Sequence, residues 1–198
     1  MSVGDFVFSP TAPLEGAADA EQTLVARLIA ADPAAVGTVY DEHHRAVRAF
    51  ATRLVGDAAA AEDLVHEVFV SLPRAARGYR FESSLRTFLI SIAVNHARHH
   101  VRAATRRRAA MGRLAHEPEG NVADPEQLQR RKELALLLTR ALDKLPLEQR
   151  VTFVLCEVED RTSREVAEIT GVPEGTVRTR LHHAKRKLRE ELSQRGVE

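Results

Sequence analysis

Apolar residues that recur at three- and four-residue steps constrain this chain most strongly. One such series runs through Val36, Val39, Val47, Phe50 and Leu54. Because an α-helix completes a turn about every 3.6 residues, this spacing gathers the apolar side chains on one helix face. Only 5% of the residues are aromatic, a composition that favours helices over sheets. The pattern predicts an all-α protein.

Glycine, proline and serine residues divide the helical pattern into segments. The first series ends at Gly56, and a long later one begins at a cap near Ser83 or Ser84. Residues 112–127 combine glycines and prolines with acids, which favours an exposed linker. We therefore predict two small helical domains joined by a flexible linker. The predicted parts are a disordered tail over 1–21, a helical domain over 22–108, the linker over 109–127 and a second helical domain over 128–198.

The charged residues are segregated, although the whole chain has a formal net charge of only +1. Residues 83–116 carry seven arginines, residues 175–189 carry six basic residues, and neither stretch contains an acid. The other 149 residues have a net charge of −12. This asymmetry indicates two surfaces that bind a polyanion, with two merely solvated helix faces as the alternative.

The second basic stretch follows a pattern typical of a helix-turn-helix. Thr162 and Glu165 have the spacing of a capping box, Gly171 suits a turn with positive φ, and Pro173 suits the start of the next helix. That next helix is polar and basic outside one apolar stripe. The C-terminal domain is therefore predicted to contain a helix-turn-helix that enters the major groove of DNA. A purely structural helical hairpin is the alternative.

The sequence Tyr79-Arg80-Phe81 places two aromatic rings beside a cation in a predicted loop. This combination stacks on and holds unpaired bases, although the two rings could instead only staple the loop onto the core. Further along, Arg98, Arg102 and Arg106 are four residues apart. They therefore share one helix face and can follow a phosphate backbone.

Several other classes of protein do not fit the sequence. The single cysteine, Cys156, excludes an internal disulfide and a Cys-rich zinc site and fits a reducing compartment. There is no apolar run of about 18 residues, and the first 20 residues lack the features of a signal peptide. We expect a cytoplasmic protein without membrane insertion. Nucleophilic triads and phosphate-binding glycine loops are absent, so we expect no enzyme.

One pair of motifs leaves room for a metal centre. Asp41 precedes His44, and Asp63 precedes His66, by three residues each, as in a carboxylate-bridged di-metal bundle. Such bundles normally use Glu in this motif and further Glu from two more helices, which this sequence does not offer. We therefore predict no metal and no cofactor, with solvated polar faces at these positions.

Four segments resemble one known family. Residues 61–69 (AEDLVHEVF) and 84–95 (SLRTFLISIAVN) resemble conserved region 2 of extracytoplasmic-function sigma factors. Residues 145–150 (LPLEQR) and 165–180, which contain GTVRTR, are similar to region 4 of the same family. The resemblance covers roughly residues 22–190 with the segments in the family's order.

The resemblance implies a dissociable subunit of bacterial RNA polymerase that recognises and melts promoters. Region 4 would read the −35 element with Arg178, Thr179, Arg180, His182 and His183. Region 2 would melt the −10 element, where Asn95 and the loop 79–84 would hold a flipped base. The DNA contacts expected there are Tyr79, Arg80, Phe81, Asn95, Arg98 and Arg102.

The resemblance also implies protein partners. Asp63 and Glu67 would dock on the clamp of the β′ subunit of core RNA polymerase, and region 4 would hold the β flap. An anti-sigma factor is a further expected partner. The competing hypothesis is a helix-turn-helix regulator that binds DNA as a dimer without polymerase, and such a protein needs neither an acidic docking helix nor a single-strand loop.

Overall fold

The computed structural model describes residues 15–111 and 136–193, and every regular element within those ranges is helical. The helices are α1 (Glu15–Ile29), α2 (Pro33–Val55), α3 (Ala58–Ala75), α4 (Leu85–Met111), α5 (136–142), α6 (Leu147–Phe153), α7 (Ser163–Thr170) and α8 (Glu174–Ser193). A 3₁₀ turn (Ala76–Gly78) follows α3, and a π-helical turn (Val154–Val158) follows α6. The predicted all-α class is confirmed.

Local capping fixes the ends of the N-terminal helices. The α2 helix ends at Gly56 in the left-handed conformation (φ 68°), as its position in the sequence predicts. The Asp57 carboxylate accepts a hydrogen bond from the Ala60 amide at 2.8 Å and starts α3. The Ser84 hydroxyl accepts from the Thr87 amide at 3.2 Å, so the predicted cap of α4 lies at Ser84. These caps satisfy amides that a helix end leaves without partners.

The α1 helix corrects the prediction of a disordered tail over residues 1–21. It begins at Glu15 and buries Val25 and Leu28 against the core. Its large apolar residues lie only in its C-terminal half, so the first turns carry no periodic signal that a sequence pattern can register. Residues 1–14 lie outside the described residues.

The N-terminal helices α2, α3 and α4 pack around one apolar core. Its largest fully buried side chains include Phe50, Leu54, Leu64, Leu72 and Leu89. In the C-terminal half, α5 and α8 share a smaller cluster that includes Leu142, Ala184 and Leu188. Both cores use the apolar stripes that the helical spacing predicts.

The two helical units touch in this structure. Buried residues of α6–α8 are continuous with the core of α2–α4; they are Val151, Val154, Leu155, Val166, Ile169 and Val177. The predicted linker over 109–127 begins later than expected, because residues 109–111 still belong to α4. Residues 112–127 lie outside the described ranges, and the predicted domain boundaries stay a prediction.

Candidate nucleic-acid interface

The α7–turn–α8 unit has the local geometry that the sequence predicts. The Thr162 hydroxyl accepts a hydrogen bond from the Glu165 amide at 3.3 Å, and the Glu165 carboxylate accepts from the Thr162 amide at 2.8 Å. The bonds that the Glu165 carboxylate accepts from the Thr162 amide, the Arg161 guanidinium and the Thr162 hydroxyl lower the pKa of Glu165 to about 2. The turn passes through Gly171 at φ 67°. The capping box and the turn therefore orient α8 as a second, projecting helix.

One face of α8 is buried, and the opposite face presents polar side chains. Val177, Ala184 and Leu188 point into the core. The side chains predicted to read the groove lie off this stripe, with Arg178, Thr179 and His182 exposed and Arg180 and His183 half-buried. Two of them bond within the helix one turn earlier: Arg178 pairs with Glu174, and the Thr179 hydroxyl donates to the Gly175 carbonyl at 3.0 Å. The outer face of α8 thus offers several donors in a row to an edge of DNA bases.

Tyr79 lies inside the loop over 79–84 and is only 9% exposed. Its hydroxyl donates to the Ser83 carbonyl at 2.7 Å and to a Glu21 carboxylate oxygen at 2.9 Å. Burial, assisted by Glu21, raises the pKa of Tyr79. Its ring packs against Phe81 and Phe88 at 4.8 and 4.9 Å between centroids. These contacts fit the alternative in which Tyr79 staples the loop onto the core, and its predicted contact with the −10 element stays a prediction.

The neighbouring residues of the loop are accessible. Arg80 is exposed, and Phe81 is 46% exposed with a positive φ of 59°. A cavity of about 190 Å³ lies beside them, lined by the loop on one side and by Glu168 and Ile169 of α7 on the other. The loop therefore faces the helix-turn-helix unit in this arrangement.

The basic face of α4 forms a second part of the candidate interface. Asn95, Arg98 and Arg102 are exposed, and together with Arg106 they line a groove of about 960 Å³ opposite the segment 143–148. The Arg98 guanidinium donates to a Glu148 carboxylate oxygen at 3.0 Å. One predicted DNA contact is therefore engaged by an acid of the C-terminal half.

The two predicted polymerase contacts on α3 differ in their surroundings. Asp63 is exposed. Glu67 is bound to two histidines of α4: its carboxylate lies 2.6 Å from His100 Nε2 and 3.0 Å from His96 Nδ1. The hydrogen bond from His100 lowers the pKa of Glu67. Glu67 therefore ties α3 to α4, a role that the sequence prediction missed although His96 and His100 are spaced for one helix face.

An arginine cluster joins the two halves of the molecule and was not predicted. Asp143 accepts from Arg150 Nη1 at 2.6 Å and from Arg108 Nε at 2.8 Å, and the Thr105 hydroxyl donates to it at 3.1 Å. Burial acts to raise the pKa of Asp143, but the hydrogen bonds from Arg108 and Arg150 outweigh it and hold that pKa below its ordinary value. No local pattern links Arg108 to an acid 35 residues later.

The motifs that resemble a metal centre are engaged differently. His44 Nδ1 lies 2.8 Å from the Tyr40 carbonyl, and its ring stacks on Tyr40. Within residues 15–111 and 136–193, no three His, Cys, Asp or Glu side chains are placed to hold a metal ion. Cys156 is half-buried, and burial raises the pKa of its thiol. In the same ranges no helix has the length and apolar character to cross a membrane.

Two family models match the chain in succession. Residues 39–107 match Sigma-70 region 2, and residues 135–188 match Sigma-70, region 4. The first match contains the loop 79–84 and most of α4, and the second contains the helix-turn-helix. Both parts of the candidate interface therefore lie within matched regions.

Full-length relatives support the same assignment. The chain is 30% identical over 175 residues to the ECF RNA polymerase sigma-E factor of Escherichia coli (strain K12), covering 83% of this chain and 90% of that protein. It is 28% identical over 173 residues to the RNA polymerase sigma-H factor of Pseudomonas aeruginosa, with coverages of 83% and 90%.

Solved structures show the likeness of the fold. CnrH in complex with the cytosolic domain of CnrY matches with a TM-score of 0.57 and 22% identity, over 89% of this chain and 99% of that one. The sigma factor RpoE in complex with the anti-sigma factor NepR from Bartonella quintana matches with a TM-score of 0.51 and 22% identity, over 88% and 97%.

Proposed function

The chain belongs to the extracytoplasmic-function sigma factors, and from this membership we propose that it binds core RNA polymerase and directs promoter-specific transcription initiation. One observation carries the proposal: both family regions occur in one chain, and each bears an exposed basic helix face, on α4 and on α8. Sigma factors are generally not enzymes. Strand opening by this chain would therefore draw on binding energy rather than on a reaction catalysed by its own residues.

The α8 helix is the proposed reader of the −35 element. The proposed contacts are Arg178, Thr179, Arg180, His182 and His183. Arginine can bond bidentately to guanine in the major groove, and a good pair of this kind discriminates by about 1–3 kcal/mol. The exposure of Arg178, Thr179 and His182 supports this role. The Arg178 side chain must exchange its bond with Glu174 for one with a base.

The loop 79–84 and the outer face of α4 are the proposed site for the −10 element. Phe81 and Arg80 offer an exposed ring and a cation to an unpaired base. Asn95 would hold the flipped base beside them, and Arg98 and Arg102 would follow the phosphates. Tyr79 enters this proposal as the residue that supports the loop from beneath.

Several partners follow from the family. We propose that Asp63 contacts the β′ clamp directly and that Glu67 acts there mainly by fixing α3 on α4, since its carboxylate is already bonded. The C-terminal domain would hold the β flap. An anti-sigma factor is proposed as a regulator, supported by the neighbouring folds solved in complexes with such proteins. Acting on polymerase places the proposed function in the cytoplasm.

The competing hypothesis of a polymerase-independent dimeric regulator is not favoured. A regulator of that kind requires the helix-turn-helix alone. Here the larger family match covers the N-terminal helices, including the acidic face around Asp63 and the loop 79–84.

Reconstitution with polymerase tests the proposal. The full chain is mixed with bacterial core RNA polymerase and a pool of promoter templates randomised across the −35 and −10 elements, and the transcripts are sequenced. We expect transcripts to come from a subset of templates sharing two elements. Failure to bind core, alongside tight dimeric binding to a palindrome, would instead support the regulator hypothesis.

Two variants of α8 sharpen this experiment. Arg178→Ala removes a proposed base contact and is expected to lower the preference at one −35 position about tenfold or more. Arg189→Ala removes an exposed arginine of the same helix that is not among the proposed contacts with DNA bases. It is expected to weaken binding similarly for all templates, because a phosphate contact carries no sequence information.

A further inference from the structure

The α1 helix lies outside both family matches, the first of which begins at residue 39. It nevertheless reaches the loop proposed to bind the −10 element. The contact is the hydrogen bond from the Tyr79 hydroxyl to the Glu21 carboxylate, at 2.9 Å. We propose that α1 positions the loop 79–84, with Glu21 as a positioning residue that acts through Tyr79. This inference rests on the proposed function, because it assigns Glu21 a part in selecting the −10 element.

The corner between α1 and α2 holds α1 in a defined place. The Asp32 carboxylate accepts from Arg27 Nε at 2.7 Å and from the Ala34 amide at 2.9 Å. The chain between the helices passes through Ala31 at a positive φ of 58°. Beyond this corner, Val25 and Leu28 of α1 are almost fully buried. A helix fixed at both its end and its face presents the Glu21 carboxylate from a rigid support.

The Tyr79 hydroxyl links that support to the loop. Its single proton is shared between the Glu21 carboxylate and the Ser83 carbonyl, which lies four residues later. The bond to Ser83 closes the loop on itself, and the bond to Glu21 fixes the closed loop on α1. Because Tyr79 is only 9% exposed, water is poorly placed to replace the Glu21 acceptor.

Phe81 is the residue of the loop that depends most on this support. Its positive φ is rarely adopted by an aromatic residue and costs energy in an isolated loop. The neighbouring Tyr79 ring, 4.8 Å away between centroids, packs against it. When Tyr79 is held by Glu21, the exposed part of Phe81 keeps one orientation toward the space where an unpaired base would lie.

Support of the loop by Glu21 affects how sharply the −10 site distinguishes one base from another. Without the Glu21 carboxylate the loop can relax, so one base is distinguished less sharply from another. The basic face of α4 remains, so overall affinity for DNA is retained. A positioning role thus affects preference at the −10 element more than the amount of complex formed.

The experiment compares wild type with four full-length variants, each with core polymerase and the randomised template pool. Glu21→Ala is expected to lower the base preference at −10 positions about fivefold and to leave the −35 preference unchanged. Glu21→Gln keeps an oxygen acceptor and should restore the preference to within about twofold of wild type. Tyr79→Phe removes both bonds of the hydroxyl and should lower the −10 preference at least as much as Glu21→Ala. Asp19→Ala, which removes an exposed carboxylate two residues earlier on α1, should behave as wild type.

The outcomes separate the inference from the function on which it rests. A double variant, Glu21→Ala with Tyr79→Phe, should lose no more preference than Tyr79→Phe alone, because Glu21 acts through the Tyr79 hydroxyl. Unchanged −10 preference in Glu21→Ala would overturn the inference and leave the proposed function intact. Equal losses at both elements, with a lowered melting temperature, would assign Glu21 a structural role instead. A wild-type chain that directs no transcription would overturn the proposed function itself.

Discussion

At the scale of single residues, Arg150 places a charged side chain in the interior, where its stability depends on an ion-pair partner. Its side chain is fully buried, and Asp143 is the acid that pairs with it. Removing one member of a buried ion pair leaves the other charge without compensation, which typically costs about 3–5 kcal/mol. The integrity of the junction between α4, α5 and α6 therefore depends on Asp143.

We expect Asp143→Ala to lower the free energy of unfolding by about 3 kcal/mol, measured by urea denaturation. Arg150→Met, which replaces the buried charge with an apolar chain, should cost less, because Asp143 keeps its bond to Arg108. Glu190→Ala, which removes an exposed in-helix pair with Arg186, serves as the control and should change little. Equal stability of Asp143→Ala and the control would contradict this account.

The capping carboxylate of α7 predicts how the stability of the folded chain depends on pH. The pKa of Glu165 is depressed from an ordinary value of 4.5 to about 2 in the folded chain. A carboxylate whose pKa is lower in the folded chain than in the unfolded chain stabilises the folded state. This stabilisation is complete at a pH above the pKa of the unfolded chain, and it is lost as the pH falls from about 4.5 towards 2.

Thermal unfolding across that pH range checks the Glu165 prediction. Glu165→Gln should lose less stability on acidification than wild type, since the titrating group is gone. Glu168→Gln on the same helix removes an exposed carboxylate paired with Arg164 at 3.5 Å and should follow the wild-type curve. Parallel curves for wild type and Glu165→Gln would exclude the capping carboxylate as a source of acid sensitivity.

At the scale of elements, two glycines end helices in the same backbone conformation but in different surroundings. Gly56 and Gly171 have φ values of 68° and 67°. A Cβ at Gly171 would meet nothing within 4 Å, whereas a Cβ at Gly56 would lie 2.6 Å from Thr139 Cγ2 in α5. The two positions therefore separate the cost of backbone strain from the cost of a collision.

We expect Gly171→Ala to cost about 1 kcal/mol, because only the left-handed conformation is penalised. Gly56→Ala should cost at least about 1 kcal/mol more, since α2 and α5 must also move apart. Chemical denaturation of both variants measures the difference. A smaller loss at Gly56 than at Gly171 would mean that α5 is not held against the end of α2.

Elements governed by local rules could be predicted from the sequence, and elements governed by distant partners could not. The end of α2 at Gly56 and the capping box at Thr162 depend on residues at most four positions away. The place of α1 depends on Glu21 meeting Tyr79, 58 residues later. Tyr79 illustrates the limit, because its aromatic character is compatible with both a staple and a base contact until its partners are known.

At the scale of the whole molecule, contacts between the halves have a consistent polarity. Arg53, Arg98 and Arg108 of the N-terminal helices pair with Glu159, Glu148 and Asp143 of the C-terminal half. In each of these three pairs the arginine lies in the N-terminal helices and the acid lies in the C-terminal half. Two of these arginines belong to α4, the helix proposed to follow the −10 strand.

Reversing two of these acids should therefore loosen the arrangement. For the double variant Glu148→Arg with Glu159→Arg we expect a larger radius of gyration by small-angle X-ray scattering. Wild type in high salt should shift in the same direction, because the Arg98–Glu148 pair is exposed and is screened by salt. Glu190→Arg with Glu191→Arg makes the same charge change on α8 and should leave the dimensions unchanged. If both double variants expand equally, net charge rather than these pairs sets the dimensions.

The one-sided polarity of these pairs has a consequence for how salt governs promoter binding. Arginines that bind phosphates release counterions from DNA, but Arg98 must first leave Glu148, and the freed carboxylate attracts cations of its own. In the free chain Glu148 would thus occupy the place at Arg98 that a phosphate is proposed to take. We expect a plot of log affinity against log salt to be shallower for wild type than for Glu148→Gln.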